Sequence, residues 1–126
     1  MNIIYNGTKK DLPIEQLHHL FFSAGWTDSE LTIDPYMLKN FNAPFINSKL
    51  VISAWENENL IGVVRVLSDE IIRSVIYDLV VLPEYQNKGI GKELVKRCIE
   101  HFPNSEWLVQ TEKNISSYYE KNGFTK

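Results

Sequence analysis

The stretch that most constrains this chain is Leu79-Val80-Val81-Leu82-Pro83-Glu84-Tyr85-Gln86-Asn87-Lys88-Gly89-Ile90-Gly91-Lys92-Glu93-Leu94. An apolar β run meets a proline, a short polar turn carries two glycines, and apolar residues at helical spacing begin immediately afterwards. Gly89 and Gly91 lack Cβ atoms, so the chain can turn tightly there and bring its amides close to a ligand. The first turn of the helix adds N–H groups without an intrahelical acceptor, together with the positive end of the helix dipole. A phosphate or pyrophosphate is the natural guest of such a turn.

The remaining residues arrange themselves around that unit. Ile3, Ile4 and Tyr5 read as a first strand ended by Gly7 and Thr8. From Pro13, Ile14, Leu17, Leu20, Phe21 and Ala24 recur at helical spacing, and Gly25 closes the helix. Asp34-Pro35 starts a shorter helix through Met37, Leu38 and Phe41, which Ala43-Pro44 should stop. Leu50 to Trp55 and Leu60 to Leu67 read as two strands joined by a polar hairpin connection, and Arg73 to Leu82 as a third long strand that enters the glycine turn. Ile90, Leu94, Cys98, Ile99 and Phe102 then share one helical stripe, ended by Pro103 and Asn104. Trp107 to Gln110 is a short strand, and Asn114 to Lys121 a short helix that Gly123 terminates.

The order β, α, α, β, β, β, α, β, α implies an α/β domain with a mixed sheet and helices on its faces. Its late strand-helix-strand unit should be a parallel crossover. At 126 residues the chain fits a single domain, 1–126. Net charge is −3, so nothing draws the whole molecule to nucleic acid, and a polyanion must be held locally. No apolar run approaches bilayer length, and the first residues lack a secretory signal pattern. Cys98 has no partner for an internal disulfide, which suits a reducing compartment. The expectation is a cytoplasmic protein without membrane or nucleic-acid partners.

The run Gln86-Asn87-Lys88-Gly89-Ile90-Gly91, following a strand that ends near Pro83, resembles the signature of the GNAT superfamily of acyl-CoA-dependent N-acetyltransferases. A second family motif is similar to Tyr118-Tyr119-Glu120-Lys121-Asn122-Gly123-Phe124, in the same register and after the same elements. The resemblance covers nearly the whole chain and implies a central mixed sheet of about six strands flanked by about four helices. It departs at the end: the family usually continues through one or two further strands after Gly-Phe, whereas this chain stops at Thr125-Lys126. The final strand is therefore expected to be absent, and an unpaired edge favours a homodimer.

Carried onto these residues, the resemblance implies acetyl-CoA as cosubstrate and a primary amine of a small molecule or peptide as acceptor. Leu79, Val80 and Val81 form the cofactor strand, with the backbone of Leu79 and Val81 pairing with the pantetheine arm as an added strand does. The strand at Trp107 to Gln110 splays away to make room. Amides from Asn87, Lys88, Gly89, Ile90, Gly91 and Lys92 cradle the pyrophosphate, with Gln86 fixing the turn and Lys88 or Lys92 adding a charge. Asn114 matches an asparagine that often precedes the family tyrosine. Tyr119 is the implied general acid toward the CoA thiolate, and Asp78, or a water it orders, the proton acceptor for the amine. Strand alternation places Asp78 opposite Tyr77 and Leu79.

Other readings of the same residues are narrower. A non-catalytic acyl-CoA-binding or regulatory module would keep the glycine turn without turnover. A dinucleotide fold lacks its third glycine and its opening βαβ unit, and a Walker loop fails because Glu93 follows Lys92. His18 and His19 are adjacent and cannot form a metal pair on one helix face, and Cys98 reads as core. Trp26, Tyr36 and Phe45 fall where the acceptor is covered in the family, as core or pocket aromatics.

Overall fold

Two β runs buried along almost their whole length decide the architecture, because a strand apolar on both sides needs cover on both faces. In a computed structural model, which describes residues 2–25 and 35–109, these are β2 (Leu50–Glu56) and β3 (Asn59–Ser68). Leu50 to Ala54 and Leu60 to Val64 are all buried. The other elements are β1 (Ile3–Asn6), α1 (Ile14–Ser23), α2 (Pro35–Lys39), α3 (Ala43–Ile46), β4 (Arg73–Val81), α4 (Ile90–His101) and β5 (Glu106–Val109). A single 3-10 turn, Pro83–Tyr85, lies between β4 and α4.

The sheet runs β1-β2-β3-β4-β5. The first three pairings are antiparallel, and β5 lies parallel to β4, so α4 is the crossover between them. On one face, Leu94 of α4 lies over Gly62, where an added Cβ would stand 3.4 Å from its Cδ1. A side chain there would also stand 3.3 Å from the Val80 carbonyl, so Gly62 leaves room for a close approach of helix to sheet. Ile90, Leu94, Val95 and Cys98 are the buried residues of α4, with Ile99 and Phe102 half-buried against the same core. On the other face, Phe21 of α1 packs edge-on against Phe45 of α3 at 5.8 Å. Gln16 ties α1 to the β2–β3 hairpin by accepting from Leu60 N–H (2.7 Å) and donating to the Glu58 carbonyl (3.1 Å).

The expected mixed sheet is present, with five strands among the described residues where about six were expected. The helix expected over Asn114 to Lys121 lies outside the described residues, as does Gln110, and β5 begins one residue earlier than expected, at Glu106. The shorter helix, α2, ends at Lys39, before Phe41, and Ala43-Pro44 opens α3 instead of stopping it, since a proline in the first helical turn forfeits no intrahelical bond. The break between the two helices is held by buried Asn42, which accepts from Leu12 N–H (3.3 Å) and donates to Asp11 Oδ1 (2.6 Å).

The β3–β4 turn depends on one carboxylate. Asp69 Oδ1 accepts from the amides of Ile71 (2.9 Å), Ile72 (2.7 Å) and Arg73 (3.1 Å). These bonds favour the charged form and hold the Asp69 carboxyl below its ordinary value of 3.8. A lowered folded-state value means the stabilisation is complete above the unfolded value and is lost as pH falls through the folded one. Asp69→Ala is therefore expected to lower Tm modestly at neutral pH, with the difference from the native protein closing as pH falls below the ordinary carboxylate range. Thermal melts of both proteins across that range check it.

Candidate functional site

The strand-to-helix turn is built by three local devices. Leu82 N–H donates to the Ile61 carbonyl (2.9 Å), the 3-10 turn follows, and Gln86 Nε2 reaches back to the Val81 carbonyl at 2.9 Å. Gln86 thus ties the start of the turn back to the end of β4. Asn87 (φ 63°) and Gly89 (φ 83°) then take left-handed conformations, the second of which favours glycine. Gly89 is the N-cap of α4, and its carbonyl accepts the first helical bond, from Glu93 N–H at 3.0 Å. The amides of Ile90, Gly91 and Lys92 precede that bond and so have no acceptor within the helix. Ile90 is buried and pins the helix start to the core, while Lys88 and Lys92 are exposed. A groove of about 440 Å³ follows α4 from Gly89 past Lys92 and Lys96.

The strand entering this turn carries a bulge at Tyr77. Across β3, Val66 faces Ile76 and Arg65 faces Asp78, leaving Tyr77 as the additional residue. Its effect can be followed through the backbone. Before the bulge, Arg73 turns toward β3, accepting from Asp69 N–H (3.2 Å), while Ile72 turns toward β5, accepting from Glu106 N–H (2.7 Å). Alternation continues the even-numbered residues toward β5 as far as Ile76, the last residue of β4 in register with β5. After the bulge the parity is reversed. Leu82 bonds β3, so Val80 does too, and Leu79 and Val81 turn their peptide groups to the β5 side. The described pairing of β4 with β5 runs from Arg73↔Glu106 to Ile76↔Val109. Leu79 and Val81 therefore turn their backbone groups away from β3 on the way into the glycine turn, with the Val81 carbonyl held by Gln86. Val80, the third residue of that trio, is buried and turned to β3.

The bulge also corrects the expectation that Asp78 faces away from Tyr77. Both contact Arg65: Asp78 Oδ2 accepts from Arg65 Nε at 2.7 Å, and the guanidinium carbon lies 5.0 Å from the centre of the Tyr77 ring. An extra residue in the strand breaks the alternation and puts two consecutive side chains on one face. Asp78 and Leu79 remain on opposite faces, since they stand opposite Arg65 and Val64. Phe45 lies on the guanidinium as well, at 5.8 Å, and Arg65 Nη1 is 3.4 Å from Ser48 Oγ. Sequence reasoning missed Arg65. The available signal was a lone cation inside the apolar run Leu60 to Leu67, where a buried charge needs a partner.

Asn114 and Tyr119, with the whole Tyr118 to Phe124 motif, lie outside the described residues, as does Trp26. His18 stacks on Phe22 and meets the Phe41 ring edge-on, as a boundary residue does. Burial pushes the Cys98 thiol up to about 12, so it is a core group and no nucleophile at neutral pH. Tyr85 donates to the Glu56 carboxylate, and that bond raises the phenol above its ordinary value.

Comparison with known proteins agrees with this geometry. Residues 31–126 match a family model described as an acetyltransferase (GNAT) domain. The chain is 30% identical to an uncharacterized N-acetyltransferase, ycf52, of Pyropia yezoensis, over 98% of this chain and 71% of that protein. Its fold is similar to that of a GNAT-family acetyltransferase from Streptococcus pneumoniae TIGR4, with a TM-score of 0.77 and 24% identity over 98% of this chain and 88% of that one. It is also similar to the paia N-acetyltransferase of Thermoplasma acidophilum in complex with coenzyme A, with a TM-score of 0.68 and 21% identity over 99% and 91% of the two chains.

Proposed function

The chain belongs to the GNAT family of acetyltransferases, and from that premise we propose that it transfers an acetyl group from acetyl-CoA directly to a primary amine of a small molecule or peptide. The observation that carries this reading is the row of Leu79 and Val81 peptide groups leading into the uncapped amides of Ile90, Gly91 and Lys92. A ligand fitting it needs an extended amide-bearing arm that can pair like a strand, with an anion at one end. Pantetheine joined to a pyrophosphate has that form.

Each part of the chain then has a task. Leu79 and Val81 hold the arm, and residues Asn87 to Lys92 hold the pyrophosphate, with Lys88 or Lys92 supplying charge that their exposure leaves screened. When bound, acetyl-CoA supplies the activated acetyl thioester. Tyr119 would supply its phenolic O–H to the departing sulfur. With a phenol near 10 and a thiol near 8.5, full proton transfer is slightly uphill, so hydrogen bonding to the developing charge is part of the stabilisation. The acceptor must lose a proton, because an alkylammonium with pKa about 10.4 is not nucleophilic. Asp78, with Oδ2 engaged by Arg65, acts here through a water that it orders.

The test is thermal. CoA binding only the folded protein must stabilise it, by about 2.7 kcal/mol at a hundredfold excess over Kd, so Tm should rise by several degrees. An unmoved Tm sinks the reading. With a panel of amines, acetyl-CoA should then release free thiol. Binding without release would assign the chain to the non-catalytic acyl-CoA modules instead.

A further inference from the structure

A guanidinium in the middle of an apolar strand is expensive, and replacing a buried ion pair by apolar residues is often neutral or stabilising. Arg65 and Asp78 are only 16% and 18% exposed at the side chain. Their retention in β3 and β4 therefore calls for a reason other than stability, and their position supplies one. The pair spans the two strands at the residue where β4 reverses parity.

The neighbourhood of the bulge does little to fix it. Val75, Ile76, Leu79, Val80 and Val81 are all aliphatic, so moving the additional residue along β4 would leave one aliphatic side chain in place of another. A bulge displaced past Val80 would turn the peptide groups of Leu79 back toward β3 and turn others to the side away from it. Arg65 is attached to both residues that define the present register. It bonds Asp78 at 2.7 Å and lies on the Tyr77 ring at 5.0 Å. It is itself held from the α3 side: the Phe45 ring covers it at 5.8 Å, and Nη1 approaches Ser48 Oγ at 3.4 Å. Ser48 is buried and donates to the Pro44 carbonyl at 2.6 Å, so the clip is anchored in α3. A flat guanidinium can stack and bond at once, which a lysine ammonium cannot.

We propose that Arg65 is a positioning residue: its bond to Asp78 and its stack on Tyr77 hold the β4 bulge in register, and thereby aim the Leu79 and Val81 peptide groups at the pantetheine arm. This rests on the reading that those groups receive the arm of CoA.

The experiment is CoA affinity by calorimetry in Arg65→Met/Asp78→Asn, which removes the pair without leaving a lone buried carboxylate. If the aimed register becomes a minority state, apparent Kd rises by the reciprocal of its population, and a rise of about tenfold is expected, with Tm within a few degrees of the native protein. Arg65→Lys keeps the charge and loses the stack, and should give about threefold. Ile52→Val, a core substitution on β2, serves as control and should leave Kd unchanged while lowering Tm. Unchanged Kd in the double variant overturns the proposal, as does an equal loss of affinity in the control. Should the double variant not fold, Arg65→Lys decides: a Kd equal to that of the native protein overturns it. If the native protein itself does not bind CoA, the proposed function fails instead, so the two failures are distinct.

Discussion

Tyr119→Phe is expected to lower kcat for acetyl transfer about a hundredfold while leaving the affinity for CoA within a factor of two, the signature of an interaction made only as the thiolate departs. The substitution removes one oxygen and keeps the aromatic ring. What is lost is the O–H donor that the proposed mechanism assigns to the thiolate. The native enzyme should also lose activity as pH rises toward the phenol's ordinary value near 10, because an ionised tyrosine cannot donate. The variant should lack that limb. Steady-state rates by thiol release, paired with calorimetric CoA binding, separate the outcomes: an unchanged kcat removes Tyr119 from the mechanism, and a parallel loss of affinity would make it a binding residue.

Much of the site can be read from residues alone because its determinants are local. Gly89 announces a left-handed residue, the apolar stripe from Ile90 places the helix start, and Gln86 is five residues from the carbonyl it holds. The paired strands around the polar hairpin are equally local, since each reports its burial in its own composition. What escapes such a reading depends on partners distant in sequence. The bulge at Tyr77 exists only relative to Arg65 and Val66 on the neighbouring strand, so alternation counted along β4 alone places Asp78 on the wrong side of Tyr77. Pro44 illustrates the same limit on a smaller scale. A proline after a helix reads as its end, yet Asn42, held by Leu12 and Asp11, lets a second helical turn begin there.

Gly89→Val should weaken CoA binding by about five- to thirtyfold, and the reason is backbone conformation rather than bulk. An ideal Cβ at Gly89 meets nothing within 4 Å, so a side chain has room in the turn. The φ of 83° is the obstacle. A left-handed L-residue costs roughly 1–2 kcal/mol, and a β-branched one stands at the unfavourable end of that range. An exposed turn can relax from that strain by swinging the residue to negative φ, which redirects the peptide groups around it, including the amides that open α4. The binding-competent turn then becomes a minor state, and apparent Kd rises by the reciprocal of its population. At about 1.4 kcal/mol per tenfold, the stated range follows. Gly89→Asn supplies the counterpart, since asparagine tolerates the left-handed region, and its Kd should stay within a few-fold of the native value. If valine and asparagine weaken CoA equally, the loss is steric or ligand contact rather than conformational. If neither does, the turn at Gly89 holds no pyrophosphate.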